Sequence, residues 1–232
     1  MICVIPARGG SKRLPGKNLL KLDGEYIINR VIQIAKDSEL FTEIIVSTDS
    51  EGIADIVKGA TVSMRPEQIA GDIPEDKVLK WTANKYGAEH FCRIYPFAVL
   101  LTPERLRKGF EKAMDPDPDP TLLPELGASV HYYPYEAVLE CQKYGHPPER
   151  RFTLSKGYKQ PSLISLPTER IEETFHDAGT FMFTQVSALR KPLVERDIKW
   201  LPVKEREAQD VDTWEDWECL CMKYEWRTKS SS

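Results

Sequence analysis

The chain has 232 residues, 41% hydrophobic and 29% charged, which suits one domain with a substantial core. Its 32 basic and 36 acidic residues leave a net charge of −4, against the basic balance expected of a dedicated nucleic-acid binder. Five cysteines without CxxC spacing argue against a structural zinc or a disulfide scaffold, and no apolar run reaches the roughly 20 residues that span a bilayer. Residues 2–6 then predict a buried strand, followed by a loop dense in glycine and positive charge from Arg8 to Lys21. Residues 26–37 predict a helix with an apolar stripe of Ile27, Ile28, Val31, Ile32 and Ile34. Strands follow at 43–47, 60–64 and 91–95, separated by helices that begin near Ser50 and run over 74–86, with Gly59 stopping the first. This alternation implies a parallel sheet with right-handed crossovers. Thr102 and Pro103 read as an N-cap and first helical residue, with Leu106, Phe110, Ala113 and Met114 on the buried face. The run 115–120, DPDPDP, ends that helix as a stiff surface connection. A strand is expected at 128–133. Residues 134–175 lack periodicity and read as an excursion from the sheet. Phe181, Met182 and Phe183 return to the core, and a helix over 213–226 carries Trp214, Trp217 and Leu220 on or near its buried side. Trp81 also reads as core. The start has no signal-peptide pattern and the last three serines read as frayed, so the expectation is a soluble cytoplasmic protein without membrane or nucleic-acid partners.

Two constellations carry chemistry. The first is the loop after the opening strand. Gly9 and Gly10 permit close backbone approach to a phosphate, Arg8 and Arg13 supply forked donors, and Lys12 and Lys17 supply point charges. It matches neither the P-loop nor the dinucleotide fingerprint. A local cluster of cations on an acidic chain suits a small anion, with a solvated basic loop as the bland alternative. The second is Asp210-Val211-Asp212. With Val211 pointing into the core, both carboxylates face the same way and invite a divalent cation. The competing role is helix capping by Asp212 or Thr213. Asp49 follows the second strand, where it serves a ribose hydroxyl, a metal or a helix start. Arg65 leaves the third strand toward substrate or into a surface ion pair. His176 and Asp177 interrupt an apolar segment, either to meet a sugar or for structure.

The segments IPARGGSKRLPGKN (5–18), IIVSTDSEGIADIVKGA (44–60), MRPEQIAGD (64–72), FHDAGTFMF (175–183) and AQDVDTWEDWECLCMKYE (208–225) resemble, in order, the cytidylyltransferases that activate nonulosonic and related acid sugars. The HDAG block and the last block lean toward the pseudaminic acid branch. That resemblance implies one cytidylyltransferase domain over 1–232. Its fold would be a three-layer α/β sandwich with a mostly parallel sheet, nucleotide-diphospho-sugar transferase-like, with a dimerisation or substrate arm at 134–175 and a homodimer. It further implies CTP and a nonulosonic acid as substrates. Ala7, Arg8, Gly9, Gly10, Ser11, Arg13 and Lys17 would line the nucleotide, with Asp49 and Arg65 near it, and Tyr95, His176 and Asp177 would meet the sugar. Asp210 and Asp212 would hold Mg2+, for which Mn2+ can stand in. Arg8, Lys17, Asp210 and Asp212 would carry the chemistry.

The chain departs from the branch at three places. Tyr95-Pro96-Phe97-Ala98-Val99-Leu100 stands where the branch resembles YxTAPF, so Phe97 replaces Thr and Val99 replaces Pro. LPTERI (166–171) lacks the RSQDL pattern, and Thr180 stands where Gln is usual. The competing expectations are a sibling enzyme for N-acetylneuraminic, legionaminic or 3-deoxy-octulosonic acid, and a nucleotide-binding or assembly protein with weakened catalysis.

Overall fold

The computed structural model describes residues 1–114, 135–145, 148, 152–153, 157–158 and 170–230. β1 (Ile2–Ala7) is buried at every position except the half-buried Pro6, a continuous run suited to the middle of a parallel sheet. After the cationic loop comes a short hairpin of β2 (Lys21–Leu22) and β3 (Glu25–Tyr26). Asp23 (φ 49°) and Gly24 (φ 79°) both take the left-handed conformation of a tight hairpin turn. α1 (Ile27–Asp37) leads to β4 (Glu43–Thr48). α2 (Glu51–Ile56) is capped by Ser50, whose hydroxyl accepts from the Ile53 N–H, and leads to β5 (Thr61–Met64). α3 (Glu75–Lys85), β6 (His90–Ile94) and α4 (Pro103–Met114) follow. The expected Thr102 cap is present: its carbonyl accepts from Leu106 N–H and its hydroxyl from Arg105 N–H. β7 (Ala137–Lys143) is succeeded by a small pair, β8 (Phe152–Thr153) and β9 (Gly157–Tyr158). β10 (Phe175–Gln185), β11 (Ile198–Val203) and α5 (Trp214–Ser230) complete the described elements.

The seven-stranded sheet runs β11-β7-β10-β6-β1-β4-β5. β6, β1, β4 and β5 are mutually parallel, β11 is parallel to β7, and β10 is antiparallel to both its neighbours. Alternate residues of β1 feed two cores, as the period of a strand requires. Cys3, Ile5 and Ala7 pack with α1, α4 and α5, while Ile2 and Val4 pack with Leu79 and Ala83 of α3. The result is the expected three-layer α/β arrangement. It puts the carboxyl ends of four parallel strands along one rim, where ligands of open α/β sheets bind.

Two expectations are corrected. Residues 137–143, assigned by sequence to the excursion, form a buried strand inside the sheet. Glu140 and Gln142 broke the apolar pattern, yet both are buried with hydrogen-bond partners, so they belong to an interior strand. Trp214 is 53% exposed and Trp81 is half-buried against Lys85, so neither is a core residue. In α5 the inward residues are Leu220 and Tyr224, one turn apart, and Trp214 lies off that stripe. The expected strand at 128–133, the connection at 115–120 and most of the arm beyond residue 145 lie outside the described residues.

Gly109 of α4 faces the ring of Phe181, where an added Cβ would stand 2.5 Å from Cζ. Alanine normally gains about 1 kcal/mol over glycine inside a helix. Here overpacking against a buried ring costs about 1–3 kcal/mol and reverses the sign. Gly109→Ala should therefore lower the midpoint of urea unfolding; a higher midpoint would contradict this packing.

Candidate active site

The loop after β1 is fastened at its start and at its middle. Leu14 is fully buried in the core, which turns its charged neighbours outward. Gly9 packs so closely on Ser50 that a Cβ would lie 2.8 Å from the Ser50 Cβ. Its N–H donates to Asp49 Oδ1 at 2.7 Å, and the N–H of Gly71 donates to Oδ2 at 2.8 Å. Burial alone would raise the Asp49 carboxyl, but those two N–H groups and the Arg65 charge hold it below the ordinary range. Asp49 therefore ties the 8–10 loop to the 71–72 turn, and backbone donors already occupy both its oxygens. Arg65 is buried and grips the end of β4, with Nε to Ser47 Oγ (3.1 Å) and Nη2 to Ser47 O (2.7 Å).

The four cations divide into two pairs. Arg13 Nη2 lies 2.6 Å from Asp212 Oδ2, and Lys17 Nζ lies 3.3 Å from Asp212 Oδ1. Lys17 also donates to Val211 O at 3.0 Å and sits 4.7 Å above the Phe97 ring. Arg8 and Lys12 instead meet Asp72, Lys12 at 2.8 Å. Hydrogen bonds from Lys12 and then Arg8 hold the Asp72 carboxyl below its usual range.

Val211 is buried, and Asp210 and Asp212 on either side of it line the same cavity, as the extended Asp-Val-Asp pattern predicts. Capping and carboxylate presentation coexist because they use different residues. Thr213 caps α5 through its hydroxyl, which accepts from Asp216 N–H, while Asp216 accepts from the N–H groups of Asp212 and Thr213. Asp216 is thus spent on the cap. Burial, and next the charge of Asp212, push the Asp210 carboxyl up. Gly179 makes this approach possible: its φ is +65°, and a Cβ there would lie 3.0 Å from the Asp210 Cβ.

The cavity has a volume of about 430 Å³. Of the residues expected from sequence, Arg8, Lys17, Arg65, Tyr95, Asp177, Asp210 and Asp212 line it. Ala7 is buried, and it, Gly9, Gly10, Ser11, Arg13 and Asp49 are not among the lining residues. His176 is absent from this lining; it borders two neighbouring clefts, one with Cys141, Phe175 and Trp200 and one that Asp210 and Asp212 also line, with its Nδ1 2.8 Å from the Asp177 carbonyl and its ring 4.8 Å from Tyr144. Asp177 lines both the main cavity and the cleft that His176 shares with Cys141 and Trp200.

Sequence reasoning missed Asp72, Glu75 and Asn18. Asp72 and Glu75 lie on the turn and helix start after β5, where the Gly71-Asp72 pair was a legible turn signal. Tyr95 donates to Glu75 Oε2 at 3.1 Å, and the buried Arg93 stacks under the Tyr95 ring at 3.8 Å. Asn18 donates to Arg8 O at 2.9 Å, fixing the loop backbone, while its own buried Oδ1 has no hydrogen-bond partner among the described residues.

A divalent cation fits the carboxylate pair on chemical grounds. No group of three or more metal-ligating side chains occurs among the described residues. Two neighbouring carboxylates, one disfavoured as an anion by burial and by the other, nevertheless match an ion that takes one or two carboxylates plus substrate phosphates.

Asp72 occupies the cations that a phosphate would use. Asp72→Asn should tighten CTP binding in calorimetry at low salt by about 2-fold to 5-fold, the scale of exposed ion pairs. Weaker binding would show that Asp72 contacts the ligand instead of competing with it.

Comparison with known proteins agrees with this geometry. Residues 2–143 match the model of the cytidylyltransferase family. The pseudaminic acid cytidylyltransferase of Campylobacter jejuni is 25% identical, over 96% of this chain and 95% of its own length. The CMP-N,N'-diacetyllegionaminic acid synthase of Legionella pneumophila is 37% identical over 48% of this chain and 52% of its own. Among solved structures, CMP:2-keto-3-deoxy-manno-octonic acid synthetase complexed with CTP has the same fold, with a TM-score of 0.68 at 18% identity over 97% of this chain and 98% of that one. With its rim of cations closed onto a carboxylate pair, the chain belongs to the cytidylyltransferase family.

Proposed function

We propose that the chain transfers CMP from CTP to pseudaminic acid or a closely related nonulosonic acid and releases pyrophosphate. The observation that carries this reading is the contact of Arg13 and Lys17 with Asp212, which joins the cationic loop to the acidic pair at one cavity. The near full-length similarity to a pseudaminic acid cytidylyltransferase supports the choice of sugar.

The anomeric hydroxyl of the acid sugar would form a bond to the α-phosphorus of CTP, giving up its proton to solvent water. The bond from that phosphorus to the bridging oxygen would break, and both its electrons would leave with pyrophosphate. Lys17 and Arg8 line the cavity where charge accumulates on the leaving group, and Arg13 reinforces them from the rim. Arg65, fixed on β4, and Asn18, with its unpartnered Oδ1, orient the nucleotide. Tyr95 and Asp177 supply polar contacts on the sugar side. Asp210 and Asp212 would hold Mg2+, which neutralises phosphate charge and orients the attacking hydroxyl when bound. The homodimer belongs to the same reading, as does an arm that begins only after β7.

Phe97 favours one alternative, a protein that binds CTP with reduced catalysis. Its ring lies against Tyr95 with centroids 5.3 Å apart and fills the place of a smaller polar residue. A pyrophosphate-release assay with CTP, Mg2+ and a panel of acid sugars separates the readings. Turnover is expected with pseudaminic acid or a close relative, and Asp212→Ala should lower it about 100-fold or more. CTP binding by calorimetry without release from any sugar would select the alternative, and full release by the Asp212→Ala variant would remove the metal role.

A further inference from the structure

Three walls of the cavity come from segments far apart in sequence: the 95–101 loop after β6, the 177–180 bend of β10, and the 204–212 strap before α5. All three are tied to one ion pair, a buried Glu140 with a largely buried Arg105. Arg105 of α4 donates through Nε to Glu140 Oε1 at 2.8 Å and through Nη2 to Glu140 Oε2. Its third nitrogen, Nη1, donates to two main-chain carbonyls, Leu100 O at 3.0 Å and Glu207 O at 2.6 Å. The Glu140 carboxylate also accepts from the Thr180 hydroxyl at 2.7 Å. The Thr180 carbonyl in turn accepts from Tyr95 N–H at 3.0 Å, and the neighbouring Gly179 packs on Asp210.

The strap is held by its carbonyls. Gln142, two residues along β7, donates to Lys204 O, Glu205 O and Ala208 O, and Lys223 of α5 donates to Glu205 O and Ala208 O. Arg105 adds the grip on Glu207 O, three residues before Asp210. A planar guanidinium can satisfy a carboxylate with one edge while the remaining nitrogen reaches two backbone oxygens; an ammonium on a flexible stem cannot reproduce that fork.

Stability alone does not account for such a pair. A buried ion pair is often replaced by apolar residues with little loss, because desolvation offsets the attraction. We infer that Arg105 and Glu140, with Thr180 as the linking hydroxyl, are positioning residues: they fix the spacing between the sugar-side wall (Tyr95, Phe97) and the carboxylate pair (Asp210, Asp212). None of the three needs to touch substrate. The inference rests on the cytidylyltransferase reading of the cavity. It also gives Thr180, a departure from the branch pattern, a role in this chain.

The decisive variant is Arg105→Met combined with Glu140→Leu, which keeps volume and removes both charges. It should unfold within a few degrees of the parent protein, yet lose the carbonyl grips. The expected losses are about 30-fold to 100-fold in kcat, the scale of a displacement near 1 Å. Mn2+ affinity of the CTP complex, read by electron paramagnetic resonance, should weaken about 10-fold, the scale of disturbed support behind metal ligands. CTP affinity without divalent ion should not change. A stable double variant with parental kcat and Mn2+ affinity overturns the inference. If it does not fold, Thr180→Val decides: kcat should drop about 10-fold and recover in Thr180→Ser, and an unaltered Thr180→Val overturns it. If the parent protein turns over no acid sugar, the functional reading fails separately, and the Mn2+ comparison still judges the positioning pair.

Discussion

Lys17 holds the two ends of the chain together. Its ammonium reaches the Val211 carbonyl and the Asp212 carboxylate, some 195 residues away in sequence, while its stem lies over Phe97. The side chain is only 15% exposed, so water screens the contact weakly. A charge-assisted hydrogen bond of this kind is worth about 1.5–3 kcal/mol. The proposed chemistry depends on this closure. Without it the glycine-cation loop would be a basic surface turn, and Asp210 and Asp212 would repel one another beside an empty strap.

The surrounding fold makes the closure rigid. β1 is buried on both faces and starts the loop at a fixed point, Leu14 anchors the loop's middle, and Asp49 clamps its glycine to the 71–72 turn. On the opposite side, the Thr213–Asp216 cap fixes the first turn of α5, so the acidic residues immediately before it cannot wander. Carboxylates are therefore used in two ways within one small region. Asp49 and Asp216 are consumed by backbone donors and organise the site, whereas Asp210 keeps a raised carboxyl facing the cavity.

Much of this was legible in the chain alone, because the patterns are local. Continuous apolar strands, a glycine-cation loop and Asp-Val-Asp before a capped helix each announce themselves within a few residues. What sequence concealed is long-range. β7 was misread because Glu140 and Gln142 look like surface residues until Arg105 and the strap carbonyls supply their partners. Asp72 was passed over because nothing local shows that it meets Arg8 and Lys12, 60 or more residues away. His176 borders the clefts beside the cavity, a placement set by the long-range pairing of β10 with β7 that no local pattern displays.

The central claim is that the first loop and the Asp-Val-Asp strap converge on one phosphate chain and one divalent ion. Anomalous diffraction from crystals soaked with CTP and Mn2+ tests it most directly. The account predicts a manganese peak touching both Asp210 and Asp212, with the triphosphate against Arg8 and Lys17. A metal peak remote from both carboxylates, or a nucleotide whose phosphates lie away from the loop, would contradict it.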